Sequence, residues 1–232
     1  KMLYLGFFKR FFDFFCALFA IIGLSPVFLV LSLLGAIKMK GNPFFTQLRP
    51  GKNEKVFRLI KFRTMTNETD SQGTLLPDEK RLTKYGIFLR STSLDELPEL
   101  FNILIGKMSI VGPRPQLIRD MVFMNQQQRQ RHRVLPGLTG LAQVCGRNNI
   151  TWEQKFEFDL EYIQKVTLFY DIKIIFRTIG KVLARRDIVR EGTASDMDLG
   201  DWLLQCEQIS EEEYRAKLLE ARDILNVVEG TH

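Results

Sequence analysis

"FFCALFAIIGLSPVFLVLSLLGAI" (residues 14–37) decides the fold: 24 consecutive residues without a charge, interrupted near the middle by Ser25-Pro26. The stretch is long enough to treat as a membrane segment. It is too long for the apolar core of a signal peptide and lacks a small-residue cleavage site. A simple spanning helix is one reading. Proline works against it, because it removes a backbone hydrogen bond and costs roughly 3 kcal/mol inside a helix. The flanks work against it too. Lys9 and Arg10 precede the stretch and Lys38 and Lys40 follow it, and basic flanks favour the cytoplasmic side. A hairpin that enters and leaves the same leaflet satisfies both flanks. Each half would reach about 16 Å, roughly half the hydrocarbon core. The hairpin reading also needs a donor for the carbonyl near Ile22 that Pro26 leaves free, and the Ser25 hydroxyl is the local candidate.

Outward from the hairpin the chain becomes polar. Gly41-Asn42-Pro43 and Arg49-Pro50-Gly51 read as turns, and "KVFRLIKFRTM" (55–65) reads as a short strand with a basic face. That face is either a lysine-protected edge or a contact for phosphate or lipid headgroups. Residues 66–80 read as a polar loop. No Walker or dinucleotide-binding glycine pattern is present.

"STSLDELPELFNILIGKMSIVGPRPQ" (91–116) has a helical period, with Leu94, Leu97, Phe101 and Leu104 on one face. Ser93 and Glu96 fit a capping box, which would put Asp95 and Glu96 in the first turn. The surroundings suggest more than a cap. Arg90 precedes the pair, and Lys107, Arg114 and Arg119 follow it. Pro113 and Pro115 fix the backbone around Arg114, and a rigid guanidinium suits a bidentate phosphate contact. A carboxylate among cations stays ionised at neutral pH. It could attack phosphorus or hold a divalent metal.

The glycine-rich "VLPGLTGLAQVCGRNNI" (134–150) is either an ordinary loop or a place where backbone approaches a ligand. Residues 151–190 interleave aromatic and basic side chains, as expected of a helix in the membrane interface or of a core helix. Residues 194–232 carry ten acids and three bases, so this tail is at −7 and residues 1–193 are at +13 in a chain of net charge +6. The basic body points to an anionic partner, a lipid surface or a phosphorylated substrate, and no nucleic-acid-reading pattern accompanies it. "DMDLGD" (196–201) reads as part of a solvated linker, and "SEEEYRAKLLEARDILNVV" as a short helix capped by Ser210. Three scattered cysteines and two histidines exclude a disulfide framework and a His/Cys metal site.

These blocks together resemble the small monotopic phosphoglycosyl transferases of the bacterial sugar transferase family. The resemblance rests on the "SP" of the hairpin, "FTQLRPG", "KVFRLIKFRTM", "LRSTSLDELPELFNILIGKMSIVGPRPQ", "LPGLTGLAQVCGR" and the aromatic-basic stretch after Trp152, and covers residues 9 to about 192. It implies an α+β, mostly helical fold. A re-entrant membrane helix-break-helix (1–40) would be followed by a catalytic domain of short strands and interfacial amphipathic helices (41–193), with the acidic tail (194–232) outside the resemblance. It implies transfer of a sugar-1-phosphate from a UDP-sugar to a polyprenol phosphate such as undecaprenyl phosphate, with release of UMP, Mg²⁺ as cofactor and a covalent phosphosugar on the enzyme. Asp95 would be the nucleophile, with Glu96 as its partner, a base or an aid to the metal that both would hold. Arg90 and Arg114 would hold phosphate, Lys61, Gln143 and Arg147 the nucleotide or substrate, and Ser25 and Pro26 would shape the hairpin. The implied location is the cytoplasmic face of the bacterial inner membrane, with a homodimer or downstream glycosyltransferases as further partners left open. Cys145 stands where the family usually has asparagine. Two other functions fit parts of the sequence: a non-catalytic lipid-binding adaptor, and a D-x-D glycosyltransferase using Asp196 and Asp198.

Overall fold

The computed structural model describes residues 4–146, 150–184 and 197–230. A wide helical turn at Tyr4–Phe8 leads into α1 (Lys9–Gly23) and α2 (Ser25–Lys38). The helical runs Gly6–Gly23 and Ser25–Lys38 meet at 65°. The cause is local. Pro26 lies in the first turn of α2 and cannot donate to Ile22 O, and the Ser25 hydroxyl donates to that carbonyl instead, at 2.8 Å. Among the described residues no single helix is long and apolar enough to cross a membrane, and only this bent pair passes by length and composition together.

The first basic flank is not free. Lys9 is buried against Asp171 at 2.5 Å, and Arg10 donates to Ile103 O and Leu104 O at 2.5 and 2.7 Å. Asp13 accepts from the Ile110 amide at 2.9 Å. These contacts lock α1 to the body, and the ion pair with Asp171 removes Lys9 from the charge argument for topology. Lys38 and Lys40 remain exposed. The other side of α1 and of the turn before it carries a row of exposed phenylalanines, Phe7, Phe11, Phe15 and Phe19, each against the next. Leu29, Val30, Leu33, Leu34 and Ile37 of α2 are exposed as well.

Strands β1 (Phe44–Pro50) and β2 (Val56–Phe62) form an antiparallel hairpin, with Phe44 opposite Phe62 and Pro50 opposite Val56. β2 falls within the strand expected at residues 55–65, whereas β1 replaces a segment expected only as turns. The expected basic face of β2 divides. Arg58 points out, whereas Lys61 follows Phe57 and Leu59 on the inward side. Short helices α3 (Asp78–Arg81), α4 (Lys84–Thr92) and α5 (Glu99–Leu104) follow, then β3 (Ser109–Val111), α6 (Ile118–Met121), α7 (Gln126–Arg129), β4 (Gly137–Thr139) and α8 (Leu141–Cys145). The chain continues as α9 (Trp152–Lys165) and α10 (Leu168–Leu183), and closes with α11 (Leu199–Gln205) and α12 (Glu211–Glu229). The architecture is mostly helical α+β, as expected.

β3 and β4 pair in parallel, and glycine explains how closely. A Cβ on Gly137 would lie 2.1 Å from Gly112 N, and one on Gly140 2.2 Å from Gly112 O. The glycines therefore admit another segment of this chain. The aromatic-basic stretch divides into two helices with opposite fates. α9 buries Trp152, Phe156 and Tyr162, whereas α10 buries Asp171 and Ile174 and exposes Phe169, Phe176 and Ile179.

The "DMDLGD" stretch is no solvated linker where it is described, and the helix after it packs on the body. Leu199 is buried with Met124, Trp152 and Phe156, and Ala221 with Leu48, Ile118 and Met121. Ser210 caps α12 by accepting from the Glu213 amide, as expected. Asp198 and Asp201 both pair with Arg119, at 2.9 and 2.7 Å, and Asp196 lies outside the described residues.

Candidate active site

The acid pair stands on a turn between two helices. Ser93 ends α4 with a left-handed backbone (φ 57°), Leu94–Glu96 is one tight 3-10 turn, and α5 begins only at Glu99. The expected capping box does not form. Ser93 lies in the left-handed region, whereas an N-cap needs extended backbone, and Pro98 keeps the turn from running on as one helix because its ring would clash with the carbonyl of Leu94. Asp95 and Glu96 are half-buried there.

Two cations converge on one oxygen. Lys61 Nζ lies 2.9 Å and Arg114 Nη2 2.5 Å from Glu96 Oε1. Lys61 also reaches Glu99 Oε1 at 3.1 Å, and Glu99 is buried. Burial pushes the Asp95 carboxyl up to about 6, the charge of Glu96 adds to this, and Lys61, Arg114 and Arg90 oppose it. Burial pushes Glu96 up too, but Arg114 and Lys61 outweigh it and hold Glu96 well below the usual carboxylate range. Burial raises Glu99 to about 7 against the pull of Lys61. The adjacent acids are thus driven apart. Glu96 is a fixed anion, and Asp95 is ionised at neutral pH but only just above its titration.

Arg114 is held by its neighbours' backbone. The carbonyls of Pro113, Arg114 and Pro115 accept from Gly137 N (2.9 Å), Arg131 Nη2 (2.7 Å) and Arg49 Nη1 (3.2 Å). Arg131 is itself buried on Asp159 at 2.6 Å. Arg90 Nε donates to Thr64 Oγ1 at 3.1 Å. Gln143 is bonded elsewhere than to the acid pair: its amide donates to Leu138 O at 3.1 Å, and its buried Oε1 has no partner among the described residues. Arg147 lies outside the described residues. Arg119 turns to the tail, and Lys107 is exposed. Sequence reasoning missed Glu99, Arg49 and Arg131. Only Glu99 had a local signal, its position three residues after Glu96 on a segment read as helical.

Among the described residues no cluster of three or more His, Cys, Asp or Glu side chains gathers to cage a metal. The donor set still fits Mg²⁺, which takes one or two carboxylates together with substrate phosphates and water. Both cation bonds to Glu96 fall on Oε1 and neither on Oε2.

A carboxylate poised among fixed cations suits a ligand rich in phosphate, and the class of protein is that of the sugar transferases. Residues 4–185 match the bacterial sugar transferase family, and the chain belongs to it. It is 47% identical over 180 residues to the uncharacterized sugar transferase EpsL of Bacillus subtilis, covering 78% of this chain and 89% of that one. It is 38% identical over 200 residues to the exopolysaccharide production protein ExoY of Sinorhizobium fredii, covering 78% and 88%. It is also 40% identical over 188 residues to the UDP-glucose:undecaprenyl-phosphate glucose-1-phosphate transferase of Klebsiella pneumoniae, where the match covers 75% of this chain but 40% of the relative.

Proposed function

We propose that this chain transfers a sugar-1-phosphate from a UDP-sugar to a polyprenol phosphate, undecaprenyl phosphate by analogy with the Klebsiella relative, through a phosphosugar carried on Asp95. One observation carries the reading: Asp95 is kept reactive next to an acid already neutralised by Lys61 and Arg114. An Asp95 carboxylate oxygen attacks the sugar-bearing phosphorus. The bond from that phosphorus to the bridging oxygen breaks, and UMP leaves with the oxygen. An oxygen of the polyprenol phosphate then attacks the same phosphorus and releases the Asp95 carboxylate. No proton need move in either step. Arg114, Lys61 and Arg90 offset the charge on the reacting phosphoryl oxygens. Glu96 is too acidic to serve as a base near neutral pH, so its part is to hold the two cations. Asp95 and Glu96 would also hold Mg²⁺, which when bound supplies further positive charge to the diphosphate.

The acceptor is a lipid, so the site belongs at a membrane. The bare aromatic row of α1, the exposed face of α2 and the outer side of α10 would enter lipid, with the 65° bend making a re-entrant hairpin at the cytoplasmic face of the bacterial inner membrane. The D-x-D alternative has little support, because Asp198 is engaged by Arg119. The test is nucleotide release from a panel of UDP-glucose, UDP-galactose and N-acetylated UDP-hexoses, with undecaprenyl phosphate in vesicles. UMP release supports the reading, UDP release favours a conventional glycosyltransferase, and release of neither favours the adaptor.

A further inference from the structure

The described part of the acidic tail, residues 197–230, lies beyond the family match that ends at residue 185. It nevertheless packs against the segment that leaves the Pro-Arg-Pro loop. Arg119, on α6, pairs with Asp198 and Asp201 and donates to the Tyr214 hydroxyl at 2.7 Å, so one guanidinium gathers both tail helices. Beneath it, the buried Asp120 carboxylate ties two backbones together. Its Oδ1 accepts from the Leu199 amide of the tail at 2.9 Å, and its Oδ2 accepts from the Leu117 amide at 3.0 Å, three residues after Arg114. A Cβ on Gly200 would lie 2.4 Å from the Phe123 ring, and the Trp152 indole donates to Met197 O at 3.2 Å, so the tail is seated closely. From the loop side, Arg49 holds Pro115 O, and its charge feels both Arg114 and the tail's Asp198.

From this geometry we infer that the C-terminal extension is an intramolecular latch: Arg119 and Asp120 are positioning residues through which it fixes the loop carrying Arg114. The inference rests on the proposed transferase reading only for what Arg114 binds. A rigid loop presents the guanidinium already oriented to the diphosphate, and a loosened one must spend part of its binding energy on ordering. The latch therefore acts on the affinity of the site for its anionic substrate, and it is held by residues that do not touch that substrate.

Two measurements on the full chain test this. Hydrogen exchange at the Leu117 amide reads the loop directly, without ligand or turnover. Arg119→Ala and the milder Tyr214→Phe should speed that exchange, with the amides of α10, which does not pack on the tail, unchanged. In parallel, the Kd for UDP and the KM for the UDP-sugar are measured for Arg119→Ala in the native chain and in an Arg114→Lys background. Both constants should rise about 3- to 10-fold in the native background, and clearly less where Arg114 is already replaced. Unchanged Leu117 exchange, equal effects in both backgrounds, or a lowered Tm with unaltered Kd would overturn the latch. If the native chain binds UDP but releases no UMP, the transferase reading fails, and the exchange and UDP measurements still decide the latch.

Discussion

The pH dependence of the first half-reaction reads the electrostatics of the acid pair. In the proposed mechanism only ionised Asp95 attacks phosphorus, so the rate should fall as pH falls through its titration, which burial and Glu96 push up to about 6 against Lys61, Arg114 and Arg90. Between pH 7 and pH 5 the ionised fraction drops about tenfold, and the rate of adduct formation should drop with it. Two substitutions should move the midpoint in opposite directions. Glu96→Gln removes the negative charge that raises Asp95 and shifts it down. Lys61→Met removes a cation that lowers Asp95 and shifts it up. The assay is rapid quench and intact-mass detection of the phosphosugar adduct at UDP-sugar well below KM and fixed Mg²⁺, so that the profile reports the free site, with no lipid acceptor, whose own phosphate titrates nearby. A flat profile, or a shift of the same sign in both variants, would refute this account of the site.

Other consequences are equally direct. Chelation in excess should stop UMP release, and Mg²⁺ or Mn²⁺ should restore it; unaltered release in chelator would contradict the assignment of a metal to Asp95 and Glu96. Asp159→Ala leaves the buried Arg131 without a counter-charge, with the Arg114 carbonyl as its remaining acceptor. It should cost about 3–5 kcal/mol of stability, read by chemical denaturation, whereas a loss under about 1 kcal/mol would mean that Arg131 finds another acceptor. Topology is tested by labelling single cysteines at Gly6 and Lys40, both exposed, after Cys16, Cys145 and Cys206 are replaced. Lys9 is unsuitable because it is buried on Asp171. Both positions should react from the cytoplasm only. Labelling of either from outside would mean a spanning helix, and Pro26→Leu is the change expected to produce one.

Legibility in the sequence followed the range of the interaction. The break at Ser25-Pro26 was readable down to the hydroxyl that satisfies Ile22 O, because donor and acceptor lie three residues apart. The cap of α12 and the strand β2 were readable for the same reason. The Ser93–Glu96 pattern misled because α4 runs up to Ser93 and leaves it in a left-handed backbone, which the four-residue pattern does not reveal. Lys9 looked like a topology signal, and its partner Asp171 lies 162 positions away, where no local pattern reaches. The tail's acids read as solvated for that reason too: Arg119, which holds them, belongs to a different part of the chain. In the site, the acid pair and Arg114 could be picked out by type and order. The buried Glu99 and the braces from Arg49 and Arg131 required the fold.

The central claim is that Asp95 carries the phosphosugar. Purified protein incubated with its UDP-sugar and Mg²⁺, without acceptor lipid, should gain the mass of one phosphosugar, and fragmentation should localise it to Asp95. Adding undecaprenyl phosphate should discharge the adduct into lipid, and Asp95→Asn should show neither adduct nor turnover. An adduct on another residue, or full turnover in Asp95→Asn, would contradict the account.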